Sequence, residues 1–113
     1  MSKILVIDDD KEVVNLLTWL LEEEGHDVEG VTSSAEALQR VKQELPDLVL
    51  LDLMMPQVSG ATICRELKAD DATRHVRVVF LSGHGRLERE TADAGADGYL
   101  WKPFDLDTVI DRV

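Results

Sequence analysis

Leu48-Val49-Leu50-Leu51-Asp52-Leu53-Met54-Met55-Pro56, with Gly60 close behind, is the stretch that decides how this chain folds. A short unbroken apolar run of this kind reads as a strand buried on both faces, the habit of parallel sheets. Asp52 stands where that strand stops, and a charge at such a point needs a reason. Taken alone, Asp52 reads as a helix cap or a turn residue. The same event recurs, however, at the ends of three other apolar runs.

Working outward, the first such run covers residues 3–7 and ends in Asp8-Asp9-Asp10. Residues 11–24 then carry helical periodicity, with Val13, Val14, Leu17, Leu20 and Leu21 on one face, Trp19 on the opposite side and Gly25 as a stop. Residues 27–31 predict a short edge strand. Ser33 and Glu36 have the spacing of a capping box, opening a helix to about Gln43. Pro46 separates that helix from the strand 47–51. A helix over 59–68 follows, and then a strand over 76–81 that ends in Ser82-Gly83-His84-Gly85. A short charged helix over 86–94 leads to a strand over 98–101, bracketed on entry by Gly95 and Gly98. Lys102-Pro103-Phe104 comes next, and Asp105 caps a last helix that buries Leu106, Val109, Ile110 and Val113.

Strands thus alternate with helices five times, which predicts an α/β fold: a doubly wound parallel sheet with helices on both faces. The 113 residues suit one domain with one core, and 44% of them are hydrophobic, enough to fill it. The final helix stops about two turns in, as expected of a domain cut from a longer chain. With 12 basic and 23 acidic residues the formal net charge is -11, which argues against direct nucleic-acid binding and favours a cation or a basic partner. Cys64 is the only cysteine, so an internal disulfide is impossible and core packing is its expected role. The sequence shows no signal peptide and no apolar stretch of bilayer length, so a cytoplasmic protein away from membranes is expected.

Ligands of open α/β sheets bind beyond the carboxyl ends of the strands, where the strand order reverses. At those ends stand Asp8 and Asp9, Asp52, Ser82 and Lys102. Three carboxylates held together repel one another unless protonated or bound to a cation. Such oxygen ligands suit Mg²⁺, which keeps several waters and is usually shared with phosphate. A carboxylate can itself attack phosphorus and form an acyl phosphate, with Lys102 and Ser82 placed to neutralise and bind the phosphoryl oxygens. There is no zinc spacing, P-loop or GxGxxG motif, and His26 and His75 fall in loops without a role.

These residues give the chain its resemblance to the receiver domains of two-component response regulators. Asp8-Asp9, the DxxMPxxxG pattern of Asp52, Met55, Pro56 and Gly60, Ser82, and Lys102-Pro103-Phe104 all match, over essentially residues 1–113. The resemblance implies a five-stranded flavodoxin-like sheet in the order 2-1-3-4-5. It also implies a switch in which Asp52 takes a phosphoryl group from the phosphohistidine of a sensor histidine kinase or phosphotransfer domain. Asp8, Asp9, Asp52 and the Met54 backbone carbonyl are then the site for Mg²⁺ or Mn²⁺, and Ser82 and Tyr99 the switch pair. Lys102 enters the site through a peptide bond to Pro103 that is usually cis in the family. Met54 and His84 occupy variable positions flanking the phosphoryl group, where they modulate its lifetime. Gly83 stands where relatives often have Ala, and the segment between Ser82 and Lys102 is somewhat short, which bears on the fourth helix.

On this reading the domain catalyses its own phosphorylation and dephosphorylation without being an enzyme on another substrate. A downstream effector and a phosphorylation-dependent dimer are the further partners implied. Two other readings compete. A Mg²⁺-dependent phosphohydrolase with an aspartyl-phosphate intermediate normally has a second acid soon after its nucleophile, but Leu53 and Met54 follow Asp52. A receiver-like module that works without phosphorylation tends to lose an acid or the Lys, and this chain keeps both.

Overall fold

The computed structural model describes residues 2–83 and 87–101. Five parallel strands form one sheet: β1 (Lys3–Ile7), β2 (Asp27–Val31), β3 (Leu48–Asp52), β4 (Arg77–Ser82) and β5 (Gly98–Trp101). They lie in the order β2-β1-β3-β4-β5, as expected. Four helices connect them: α1 (Lys11–Glu23), α2 (Ser34–Glu44), α3 (Gly60–Ala69) and α4 (Leu87–Ala94). The expected last helix, opened by Asp105, lies outside the described residues.

β3 occupies the middle of the sheet, and all five of its residues are buried. That explains its unbroken apolar composition, since helices cover both of its faces. On one face Leu5, Ile7, Val49, Leu51, Val78 and Phe80 pack with Ala37 and Val41 of α2, Ile63, Cys64 and Leu67 of α3, and Ala94 of α4. On the other, Ile4, Val6, Leu48, Leu50, Val79 and Leu81 pack with Val14, Leu17, Leu20 and Leu21 of α1. The two sets alternate along each strand, as side chains of a pleated sheet must. Full burial of such side chains contributes about 1.5–3 kcal/mol each, which makes this two-sided core the main source of stability.

The periodicity of α1 places its apolar stripe as expected, and Trp19 is exposed on the far side. Asp10 caps this helix by accepting the Glu12 N–H at 2.9 Å. β2 is an edge strand, as expected, and the Arg40–Glu29 ion pair joins α2 to it. Cys64 is fully buried, its thiol donating to the Ala94 carbonyl at 3.4 Å, and burial pushes its pKa up to about 11. At the amino ends of β4 and β5, the Lys68 ammonium donates to the Val76 carbonyl at 2.7 Å and to Asp97 at 2.9 Å.

Two local expectations are corrected. The Ser33–Glu36 capping box does not form: Ser33 is the N-cap residue of α2 in backbone geometry, but its side chain makes no capping hydrogen bond. The Glu36 N–H is directed to the Ser33 carbonyl instead, at 3.3 Å. Strands β3 and β4 also run one residue further than their apolar runs, to Asp52 and Ser82. Ladder pairing decides this: Asp52 is in register with Leu81, and Ser82 with Trp101, so both polar residues are strand members.

Candidate functional site

β1 and β3 are neighbours, with Ile7 in register with Leu51, so their carboxyl ends lie side by side. β1 runs on into Asp8 and Asp9, and Asp52 is itself the last residue of β3. One carboxylate oxygen from each of the three lies within 4.8 Å of the others. Asp8 is fully buried, Asp52 is 5% exposed and Asp9 is open to solvent. The cluster thus combines two buried acids with one open to solvent. Oxygen donors of one charge at this spacing fit a hard divalent cation better than a soft metal. Asp10, which the sequence left out of this set, is occupied with capping α1.

Local geometry holds the two buried acids. The Asp8 carboxylate accepts the Asp10 N–H at 2.9 Å, and the Asp8 N–H donates to the Val31 carbonyl at 3.1 Å. The Asp52 carboxylate accepts the Met54 N–H at 3.2 Å, which turns the chain back over the strand end. Leu53 N–H donates to the Leu81 carbonyl at 3.0 Å, extending the β3–β4 ladder past Asp52. The Gly60 N–H then returns to the Leu53 carbonyl at 2.9 Å, so residues 53–60 form a closed excursion.

Gly60 is required for that closure. A Cβ on it would lie 2.2 Å from the Asp52 carbonyl oxygen and 2.9 Å from the Leu53 Cα. The glycine of the DxxMPxxxG pattern therefore lets the start of α3 rest directly on the backbone of the residue that carries the central carboxylate.

Ser82 is buried at the end of β4, one residue beyond the partner of Asp52. Tyr99 is half-buried against the α2/α3/α4 side of the core and in register with Phe80, two residues before Ser82. Ser82 and Tyr99 thus fall on the same face of adjacent strands by alternation. Met54, two residues beyond Asp52, is 59% exposed. Lys102 and His84 lie outside the described residues. Among those described, the structure brings together Asp8, Asp9 and Asp52, with Ser82 at the neighbouring strand end.

Sequence reasoning missed Ser34. This residue opens α2, is buried, and donates its hydroxyl to the Pro56 carbonyl at 2.6 Å while accepting the Val58 N–H at 3.3 Å. Its partners lie 22 and 24 residues away, and no local pattern marks it.

Comparison with known proteins agrees with this geometry. The response regulator receiver domain family matches residues 4–113. RpaA of Synechocystis sp., a DNA-binding dual master transcriptional regulator, is 38% identical over 115 residues, covering 100% of this chain and 48% of RpaA. The response regulator PleD of Caulobacter vibrioides is 41% identical over 106 residues, covering 92% of this chain and 23% of PleD. The chain therefore spans about half the length of the first relative and about a quarter of the second. Among solved structures, the receiver domain of Francisella response regulator 1452 superposes with a TM-score of 0.89 at 32% identity, covering 99% of this chain and 93% of that one. Chemotaxis response regulator CheY4 of Vibrio cholerae superposes with a TM-score of 0.91, covering 99% of this chain and 95% of that one; at 24% identity it speaks for the fold alone. With a family match across nearly every residue, and with the acids at the ends of β1 and β3 where the sequence pattern put them, this chain belongs to the response regulator receiver domains of two-component systems.

Proposed function

We propose that this domain is a phosphoryl-accepting switch in which Asp52 is the acceptor. The observation that carries the reading is the convergence of Asp8, Asp9 and Asp52 at adjacent strand ends, with Ser82 at the end of the next strand. The Asp52 carboxylate attacks phosphorus in line, a P–O bond forms, and the bond to the donor breaks. With a phosphohistidine donor the imidazole nitrogen departs with the electron pair. Asp8, Asp9, Asp52 and the Met54 carbonyl would hold a Mg²⁺ or Mn²⁺ ion, which would supply charge neutralisation for the phosphoryl oxygens. Ser82 and Lys102 bind those oxygens from the β4 and β5 sides. The Met54 N–H already points at the Asp52 carboxylate and orients it.

The sensor histidine kinase or phosphotransfer partner, a downstream effector, a phosphorylation-dependent dimer and a cytoplasmic setting belong to the same proposal. Ser82 and Tyr99 carry the change of state away from the site along β4 and β5. Met54, exposed two residues beyond Asp52, borders the approach of the hydrolytic water and, with His84, sets the lifetime of the phosphorylated form.

Acetyl phosphate with Mg²⁺ tests the assignment. The wild-type chain should label to about one phosphoryl group per molecule without sustained turnover, and Asp52→Asn should take up none. Undiminished labelling of Asp52→Asn would overturn the acceptor assignment, and continuous phosphate release by the wild type would favour a hydrolase.

A further inference from the structure

The segment leaving Asp52 contains a strained turn. Gln57 has a φ of 71°, in the left-handed region that non-glycine residues rarely adopt. The Val58 N–H donates to the Pro56 carbonyl at 2.9 Å across it. A hydrogen bond between residues two apart around a positive φ is the rarer, strained form of γ-turn. Strain of this kind persists only where the surroundings over-determine it.

The Ser34 hydroxyl does so. It donates to the Pro56 carbonyl and accepts the Val58 N–H, so it engages the two polar groups that close the turn, one on each side of Gln57. A hydroxyl can do both at once because it carries one donor and two acceptor lone pairs. Ser34 is only 6% exposed, and Met55 and Val58 pack against the core near Gln57, so these bonds are partly shielded from water. The turn begins two residues after Met54 and ends two residues before Gly60. Displacement at Gln57 is therefore passed to a segment whose other end bonds the Asp52 carboxylate through the Met54 N–H.

We propose that Ser34 is a positioning residue for the Asp52 site: its hydroxyl clamps the Gln57 turn and thereby fixes the backbone of Met54 for the divalent cation. The inference rests on the proposed metal-assisted reading of that site. It also makes the start of α2, an element that contributes no acid to the cluster, part of the apparatus that shapes it.

The test is Mg²⁺ titration by calorimetry on the intact chain, with amide exchange of Val58 followed by NMR in metal-free protein. Ser34→Ala removes both hydrogen bonds, and with only part of that loss reaching the site it should raise the Mg²⁺ dissociation constant about threefold to tenfold. It should also speed exchange at Val58. Gln57→Gly removes the backbone strain without touching Ser34, because glycine adopts positive φ freely. The Ser34→Ala/Gln57→Gly pair should therefore return to within about twofold of the wild-type Mg²⁺ affinity, which a general packing defect at position 34 would not do. Ser34→Cys, which keeps the volume but donates weakly, should resemble Ser34→Ala and replaces it should the alanine variant not fold. Wild-type Mg²⁺ affinity in both Ser34 variants would overturn the proposal, and so would a loss that Gln57→Gly leaves unrepaired. Absence of Mg²⁺ binding by the wild type itself would instead sink the reading of the Asp52 site, whatever Val58 exchange shows.

Discussion

Replacing Gly60 with alanine asks whether the contact between α3 and the Asp52 backbone governs the site. Without that contact, Gly→Ala at the first position of a helix should stabilise, since alanine is favoured over glycine in helices by up to about 1 kcal/mol. The structure predicts the opposite. The new Cβ would sit 2.2 Å from the Asp52 carbonyl oxygen, 2.9 Å from the Leu53 Cα and 3.0 Å from the Asp52 carbonyl carbon. Ordinary contacts need roughly 3.5 Å, so the backbones must part by about 1 Å. All three obstacles are main-chain atoms, and no side-chain rotation relieves them. Overpacking of this kind costs about 1–3 kcal/mol. The Gly60 N–H bond to the Leu53 carbonyl lengthens as well, at a further cost of about 1 kcal/mol. For a domain of this size the sum lowers the thermal midpoint by roughly 8–16 °C.

The displacement falls on the residue that carries the acceptor. Labelling from acetyl phosphate with Mg²⁺ should therefore slow by up to about a hundredfold, as expected for a misplacement of about 1 Å at a reacting group. Gly25→Ala is the control. Gly25 has a φ of 91° with open space around its Cβ position, so alanine there strains the chain without touching the site. That variant should lose about 1–2 kcal/mol of stability and label like the wild type. A Gly60→Ala chain that melts at or above the wild-type midpoint and labels normally would refute the reasoning.

Two further outcomes follow from the charges. Saturating Mg²⁺ at fixed ionic strength should raise the melting midpoint, because a ligand bound only by the native state adds about 2.7 kcal/mol at a hundredfold excess over its dissociation constant; an unchanged midpoint in calorimetry would contradict a native-state cation site. Burial alone would raise the pKa of Asp97, but the Val78 N–H and the Lys68 ammonium outweigh it and hold the carboxyl below its ordinary 3.8. A depressed folded pKa contributes stability above the unfolded value and loses it as pH falls through the folded one. Asp97→Asn should therefore be less stable than the wild type at pH 7 in urea melts, with the gap closing as pH drops below 3.8, and a gap that is constant with pH would show that the charge contributes nothing.

Much of this architecture was legible because each element carries a local signature. The apolar runs around Val6, Leu50 and Val79 are strands, and the 3.6-residue stripe of Val14, Leu17 and Leu21 is a helix, for reasons contained within a few residues. Asp8, Asp9 and Asp52 stood out because each is a charge at the end of an apolar run. What escaped notice depends on distant partners or on conformations the residue type does not favour. Ser33 had the local pattern of a capping residue, yet the hydroxyl that matters belongs to Ser34, whose partners were beyond any short motif. Leu45 and Gln57 take positive φ although neither is the glycine or asparagine that would have announced it. Leu45 does so at the end of α2, where its N–H still reaches the Val41 carbonyl at 2.8 Å before Pro46 ends the helix.

The position of the acids follows from the strand order itself. β1 pairs with β2 on one side and β3 on the other, while β3 leads on to β4, so the winding reverses between β1 and β3. The helix after β1 packs on one face of the sheet and the helix after β3 on the other. Chains departing in opposite directions open a crevice between the two strand ends, and residues at or just past those ends line it. That places Asp8, Asp9 and Asp52 together although 44 residues separate the first from the last. Two of them are buried there, and hydrophobic packing alone would not retain acids in such a place. The excursion after β3 must then be short, closed and held from outside the strand. Gly60 closes it against the Asp52 backbone, and Ser34 holds its middle from the start of α2. An insertion in residues 54–59 should therefore damage cation binding more than one of equal length after α3, although both would lengthen a connection at the surface.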